Sequence, residues 1–511
     1  MNQKIQVTSY KLQVTLSAFC FLPSAFCLLL FAFCFLPSVS YAQADPPIRV
    51  ELECDKDQQD FHFVSLSNYG AAVFYPSALL SADTMQWILI HYDSNLVKKE
   101  IYRIKLPNQS QYLAADFNKD KLYLFFQKPA QRKDTIKNYL FEWDLSMDDF
   151  QVYDLQNFKN QYLSSIKVVD DYLFVVVNDQ KYKSIIHYNY KTNRKQTTQY
   201  IDDEITSIES FTVDTLIKRT FFSLFLKNKQ SSRAELIVTD YAGNVKQREI
   251  FPFNPELIYN SARTAVLGKD SLLIVGGYSH IKDKKQSGCF SGVYTYIFTN
   301  NSFSEINTNS FGALLSKDSV VNSRYLGESN ITMNLHIKQY NGKVFAVTEV
   351  FYPEYQYTTS NSYYRSYGYY GYDPPIRVFS GFRFLNAYIM EFDKQGKKTE
   401  QWYFPIQNVL TQSFYNIVNL YQNDEGSSLF YYVNKNELVS QFMYGQIVLD
   451  PQSATKIGQS YKTDVVEYSS NVVMRHWYDN NFLVSGYQYI KNTQRGKGKR
   501  YVFFLNKMIC E

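Results

Sequence analysis

Six histidines, His62, His91, His187, His280, His336 and His476, are the whole supply of imidazole in 511 residues. None stands in a spacing that metal or nucleophile chemistry uses, and the chain holds no Gly-x-Ser-x-Gly, His-Glu-x-x-His, phosphate loop, Cys-x-x-Cys or dinucleotide fingerprint. No metal site or cofactor is expected. The other groups able to do chemistry are the acids Asp116 and Glu209 and the cations Arg263 and Arg475, with His336 and His476 beside them. Paired carboxylates would serve glycoside cleavage. Two acids are few for that, which argues against acid/base catalysis.

The more abundant chemistry is cationic and aromatic. The chain carries a net charge of only +5, yet Lys and Arg gather in a few polar segments. Those that bear on binding are Lys282 and Lys284, Arg365, Arg377 and Arg383, and Arg495, Lys497, Lys499 and Arg500. Tyr367, Tyr369 and Tyr370 lie among them, in a stretch from 351 to 386 that is rich in Tyr, Ser and Gly. Tyr gives a large amphipathic contact at low entropy cost, and such loops on a rigid frame often form binding surfaces.

The elements that must position these groups are strands. The run Lys121 to Ser146 is the pattern: an apolar run, a polar loop, a second apolar run, then Asp144 opening a turn. Comparable second-strand runs recur at Ala72–Tyr75, Leu173–Val177, Phe221–Leu226, Leu272–Val275, Val344–Val347, Leu429–Val433 and Phe482–Val484. Asn, Asp or Gly precedes most of them, as a tight hairpin needs. Third strands end in Asp93, Asp144, Asn189, Asp240, Thr299, Asp393, Asp450 and Asn506. A short side-chain acceptor at that place caps the next turn, so this column is structural. His91 and His187 share one column but belong to different units, so they are ordinary strand histidines.

A four-stranded unit of roughly 45 to 60 residues repeated about eight times is the mark of a β-propeller. The fold expected is all-β, a single propeller of about eight four-stranded blades, with seven as the alternative. One unit, about 257–311, resembles a kelch repeat: Gly276-Gly277 is expected to end its second strand, with Tyr294 and Tyr296 in the third and Phe303 where kelch repeats carry Trp. Elsewhere the paired glycines are missing. The resemblance implies a divergent kelch-like architecture and transfers no function.

The last unit runs out after its third strand, whereas residues 48–54 alternate apolar and charged side chains before the first unit. The N-terminal strand is therefore expected to complete the last blade and close the ring. Antiparallel register then places Cys54 near Tyr501 and away from Cys510, so no disulfide joins them.

Residues 1–44 read as a signal peptide: Lys4 and Lys11, an apolar segment from Leu16 to Leu36, and Ala42-Gln43-Ala44. A retained anchor is the alternative. The mature chain, 45–511, would be periplasmic, at the cell surface or extracellular, with no transmembrane segment once the signal is removed.

In a four-stranded blade the loops joining strands two and three all emerge on one face. Those segments hold twenty-one cations against six carboxylates, so one face is expected to be basic and Tyr-bearing. The expected function is an exported binding scaffold that grips an anionic polysaccharide, an envelope surface or a protein partner through that face. Export makes nucleic acid an unsuitable partner. The alternative is a propeller-fold polysaccharide hydrolase or lyase with its site in the central channel.

Overall fold

Alternating and continuous apolar runs of seven to eleven residues can bury both faces only as strands stacked between other sheets. The computed structural model shows that arrangement. It describes residues 48–509 apart from 59, 131–135, 156–162, 179–182, 201–204, 228–231, 253, 282–289, 313–330, 359–375, 413, 462 and 493–497. Eight antiparallel sheets follow one another; seven run from an inner to an outer strand in sequence order, and the eighth takes its outer strand from the N-terminal segment. Residues 1–44, expected from the sequence to be a signal peptide, lie outside the described residues.

The inner strands are His62–Ser65, Gln111–Asn118, Leu163–Val169, Ile205–Asp214, Leu257–Tyr259 with Arg263–Gly268, Thr332–Tyr340, Asn419–Gln422 and Val465–Tyr478. Their turns into the second strands use residues with positive φ: Lys119, Asp170, Asp270, Asn341 and Asp479. Asn341 and Gly342 both have positive φ, as a two-residue hairpin of primed type requires. The Asp/Asn column caps the turn after the third strand at Asp93, Asp144, Asn189, Asp240 and Asp393. Asp450 does not belong to it, because the third strand of blade seven is Glu437–Tyr444 and Asp450 lies in the fourth, Ile447–Lys456. Asn506 sits inside Lys499–Ile509 and accepts from Arg49. Asp93 Oδ1 accepts from the amides of Asn95 and Val97, Asp144 Oδ1 from Ser146 and Met147, and Asp393 Oδ1 from Gln395 and Lys397.

Each sheet packs on the next through an apolar seam. Leu89, Phe126 and Phe141 fill the seam between blades one and two; Phe345, Trp402 and Phe430 fill that between six and seven. The eighth seam joins the last blade to the first through Phe61, Phe63, Leu483 and Phe503. The array is an eight-bladed β-propeller, and its closure is the one expected. Arg49–Glu53 pairs antiparallel with Lys499–Ile509, Arg49 opposite Asn506 and Glu53 opposite Val502. The amide of Cys54 donates to the Tyr501 carbonyl at 3.1 Å, and Cys54 is a free thiol; Cys510 is outside the described residues.

Closure is also polar. Arg49 donates to Glu51 at 2.7 Å, to Asn506 Oδ1 at 3.0 Å and to Gln488 at 2.7 Å, with its guanidinium 4.4 Å from the Phe504 ring centre. Burial alone would raise the Glu51 carboxyl, but Arg49, Ser460 and Arg500 hold it below its ordinary range. Across the seam, Trp477 donates to the Gly70 carbonyl at 2.8 Å. Gly70 has φ 115°, and a Cβ there would sit 1.9 Å from the Tyr92 carbonyl oxygen, so only glycine fits.

Two further local expectations are corrected. Gly276 and Gly277 lie inside the second strand, Ser271–His280, where a Cβ on Gly276 would strike the Ser261 carbonyl and the Tyr294 ring. They are there for close packing and do not end the strand. The stretch 351–386 is less loop than its composition suggests, because Lys343–Thr358 and Ile376–Phe392 run far into it as one long hairpin. Cross-strand aromatic pairing, Tyr355 against Phe379, sustains that extension.

Candidate functional site in the central channel

A propeller brings its inner strands side by side around a channel, so residues far apart in sequence meet there. Lys167 of blade three binds Asp116 of blade two at 3.0 Å, and the second Asp116 oxygen accepts from the Val168 amide at 2.7 Å. Arg263 of blade five binds the Glu209 carboxylate of blade four at 3.2 Å and also its carbonyl, while Nε donates to the Leu335 carbonyl. Both acids singled out from the sequence are therefore engaged by neighbouring cations. Neither is left for acid/base work.

Two inner-strand cations remain, Lys338 of blade six and Arg475 of blade eight, and neither has a carboxylate partner among the described residues. Burial lowers the pKa of Lys338, and the charge of Arg475 lowers it further. Burial lowers that of Arg475 too, with the nearby Tyr112 opposing. Water reaches Arg475 from the channel, yet its guanidinium lies 4.9 Å from the Phe63 ring centre and is hemmed in by protein. Two like charges held near each other without a counter-charge favour an anion between them.

They border a cavity of about 440 Å³ whose walls include Tyr340, Tyr415, Tyr431 and His476. The cavity exists because the inner strand of blade seven is short. Asn419–Gln422 pairs with the second strand only as far as Asn419 opposite Tyr431, so the strand beyond it, at Tyr432 and Val433, borders the opening. The chain before it is drawn elsewhere: the amides of Ile417 and Val418 donate to Glu349 Oε1 of blade six at 2.7 and 2.6 Å. Burial pushes the Glu349 carboxyl up to about 8 against these two hydrogen bonds. Its Oε2 has no partner among the described residues.

Two histidines stand near the cavity in different states. Burial drives His336 down to about 3, helped by the charge of Lys338, so its ring is neutral. His476 is also lowered, first by burial, and its Nε2 lies 2.7 Å from the Asp479 carbonyl. A carbonyl only accepts, so Nε2 carries the proton and Nδ1 keeps its lone pair. Tyr421 stacks on this ring at 4.5 Å.

The loop-face residues fall in two blades. Arg377 and Arg383 lie on the long hairpin of blade six, Arg377 over the Tyr355 ring at 3.8 Å and Arg383 forked onto Glu354 at 2.7 and 2.9 Å. Lys499 of blade eight has its ammonium 5.4 Å from the Tyr489 ring centre. Its neighbour Arg500 is bound by Glu51 at 3.0 Å and Asp464 at 2.7 Å, so reversing its charge would damage the ring closure. Lys282, Lys284, Arg365, Tyr367, Tyr369, Tyr370, Arg495 and Lys497 lie outside the described residues.

Sequence reading missed Lys338, Tyr415 and Glu349. The signal for Lys338 was the alternation His336, Lys338, Tyr340, which puts three polar-tipped side chains on one face of a strand. Nothing local marked Glu349, whose partners are 68 and 69 residues away.

The fold and the channel define the class: a single-chain propeller of eight blades latched by its own N-terminal strand, with a cationic, tyrosine-lined cavity at its centre. No family model matches the chain, and no curated protein matches it. Among solved structures it is similar in fold to the β-propeller domain of the Trilobed protease from Pyrococcus furiosus, at 8% identity and TM-score 0.37 over 79% of this chain and 95% of that one. The polysaccharide lyase Uly1 aligns at 7% identity and TM-score 0.43 over 78% and 90%. The Dos1 propeller aligns at 10% identity and TM-score 0.40 over 78% and 92%.

Proposed function

We propose that this protein is an exported propeller that binds a carboxylated polysaccharide, with the channel cavity as the point of recognition. The observation that carries the reading is the pair Lys338 and Arg475, uncompensated and partly desolvated beside tyrosines. Charge-assisted hydrogen bonds to a carboxylate would satisfy both cations, and tyrosine rings offer flat amphipathic surfaces for sugar rings. The apolar segment Leu16 to Leu36 and the Ala42-Gln43-Ala44 pattern support export. Tyr294 and Tyr296 in the third strand of blade five support a kelch-like origin of that repeat. Calorimetric titration with galacturonate at low salt tests the reading. Wild type should bind, and Lys338→Met with Arg475→Met should bind at least about tenfold more weakly, one lost charge-assisted bond being worth about 1.5–3 kcal/mol. Equal binding by the double variant, or none by the wild type, contradicts it.

One observation favours lyase activity as a second reading. The neutral His476 ring with a free Nδ1 could take the proton beside a uronate carboxylate while Lys338 and Arg475 hold the charge that develops. The C4–O bond would break, a C4=C5 double bond would form, and the departing oxygen would take a proton from water. Ultraviolet absorbance of the unsaturated product, present in wild type and lost in His476→Ala, is the expected result. Its absence from wild type would leave a binding protein.

A further inference from the structure

The inner strand of blade eight, Val465–Tyr478, is long and broken by bulges between Val466 and Tyr468 and between Ser470 and Val473. In a regular strand Arg475 and Tyr468, seven residues apart, would point to opposite faces. The bulges reset the alternation. Arg475 pairs with Leu483, Val473 with Ser485, Ser470 with Tyr487 and Tyr468 with Tyr489, and these four partners alternate onto one face of the neighbouring strand. That face is the one whose Leu483 and Tyr487 pack toward blade one. Leu483, Ser485 and Tyr487 are buried in that seam, so the channel cation and the rim are connected only along the inner strand itself, where Val473 and Ser470 are half-buried and Asn471 is exposed.

At the rim, Tyr468, Tyr489 and Tyr501 stand opposite one another on three successive strands, and the rings of Tyr489 and Tyr501 stack at 4.6 Å. The next row holds Val465, Lys491 and Lys499, all exposed. Tyr468 is a large ring, 60% exposed among the described residues. From the Leu483 row to the Tyr489 row is six residues, about 20 Å of strand, a length that several linked sugar rings occupy.

We propose that this tyrosine and lysine row is a second subsite for the same acidic polysaccharide, so that one chain lies along blade eight from Arg475 to Lys499. The inference rests on the channel reading and adds the ligand class: a polymer of linked uronates, bound along its length. The two lysines meet its carboxylates. The exposed Tyr468 ring packs on a sugar face, and the hydroxyls of the stacked pair bond to its oxygens. Linking two subsites through one ligand multiplies their affinities without new contacts.

The test compares galacturonate with long homogalacturonan, and uses neutral galactan as the control, on wild type, on Tyr468→Ala with Lys499→Ala, and on Lys338→Met with Arg475→Met. Melting curves check that each variant is folded. The rim variant should bind galacturonate like wild type and lose about a hundredfold on homogalacturonan, the size of a typical avidity gain. The channel variant should weaken on both ligands. A rim variant that binds homogalacturonan like wild type overturns the second subsite while leaving the channel reading standing. A channel variant that binds galacturonate like wild type overturns the channel reading and this inference with it. Equal binding of galactan by wild type overturns the charge recognition on which the subsite depends.

Discussion

Glu349 shows how one buried side chain shapes the cavity. Its carboxyl takes two backbone amides that would otherwise be free to extend the inner strand of blade seven, and it does so with no charge partner among the described residues. Its folded pKa of about 8 lies above the ordinary 4.5, so the folded protein binds the extra proton between those values. Stability therefore falls as pH rises from about 4.5 to about 8, by on the order of a few kcal/mol. Glu349→Gln keeps an acceptor for Ile417 and Val418 and removes the ionisation. Its melting temperature should decline less than that of wild type across this window, and parallel declines would contradict the assignment. His336 acts with the opposite sign: depressed to about 3, it destabilises the fold as pH falls below 6.5. His336→Gln should flatten that acid limb, as thermal melts from pH 7 to pH 4 would show. None of this was legible in sequence. A lone Glu in a strand looks like any other until its neighbours across the blade are known.

At the scale of elements, closure was legible and strand length was not. Residues 48–54 could be read because their alternation had no partner nearby and the last blade lacked a strand. Most of the turn column could be read because capping is a local affair between residues two to four apart, but Asp450, expected at the end of the third strand of blade seven, lies in the fourth. The hairpin of blade six misled because Tyr, Ser and Gly compose loops and exposed strands alike, and the bulges of blade eight leave no mark in sequence. Closure is also where the fold should be most fragile. A chain beginning after Cys54 would expose the edge of Lys499–Ile509 and strip the cover from Phe503 and Phe504, and such an edge invites aggregation. A truncated protein that stays monomeric with an unchanged melting temperature would contradict the latch. Arg49→Met is the finer probe. It leaves the strand in place but removes a buried guanidinium from Glu51, Gln488 and Asn506, and should cost about 3–5 kcal/mol in denaturant unfolding. A cost below about 1 kcal/mol would place the latch energy in the apolar seam instead.

At the scale of the molecule, the repeat announced a propeller, but the site needed the ring. Lys338 and Arg475 are 137 positions apart, and only closure sets blades six and eight around the same channel. Composition pointed toward a basic loop face; the described residues add that Arg383 and Arg500 are internally paired, whereas Lys338 and Arg475 are not. Anion binding by two such cations should weaken as salt rises, since mobile ions compete for them. A titration whose affinity is flat between low and high salt would point away from charge recognition. The most direct measurement is a crystal structure with an oligogalacturonate bound. The account predicts a carboxylate within hydrogen-bond distance of both the Lys338 ammonium and the Arg475 guanidinium, inside the channel cavity. An oligosaccharide bound only elsewhere on the ring, with those two cations untouched, would contradict it.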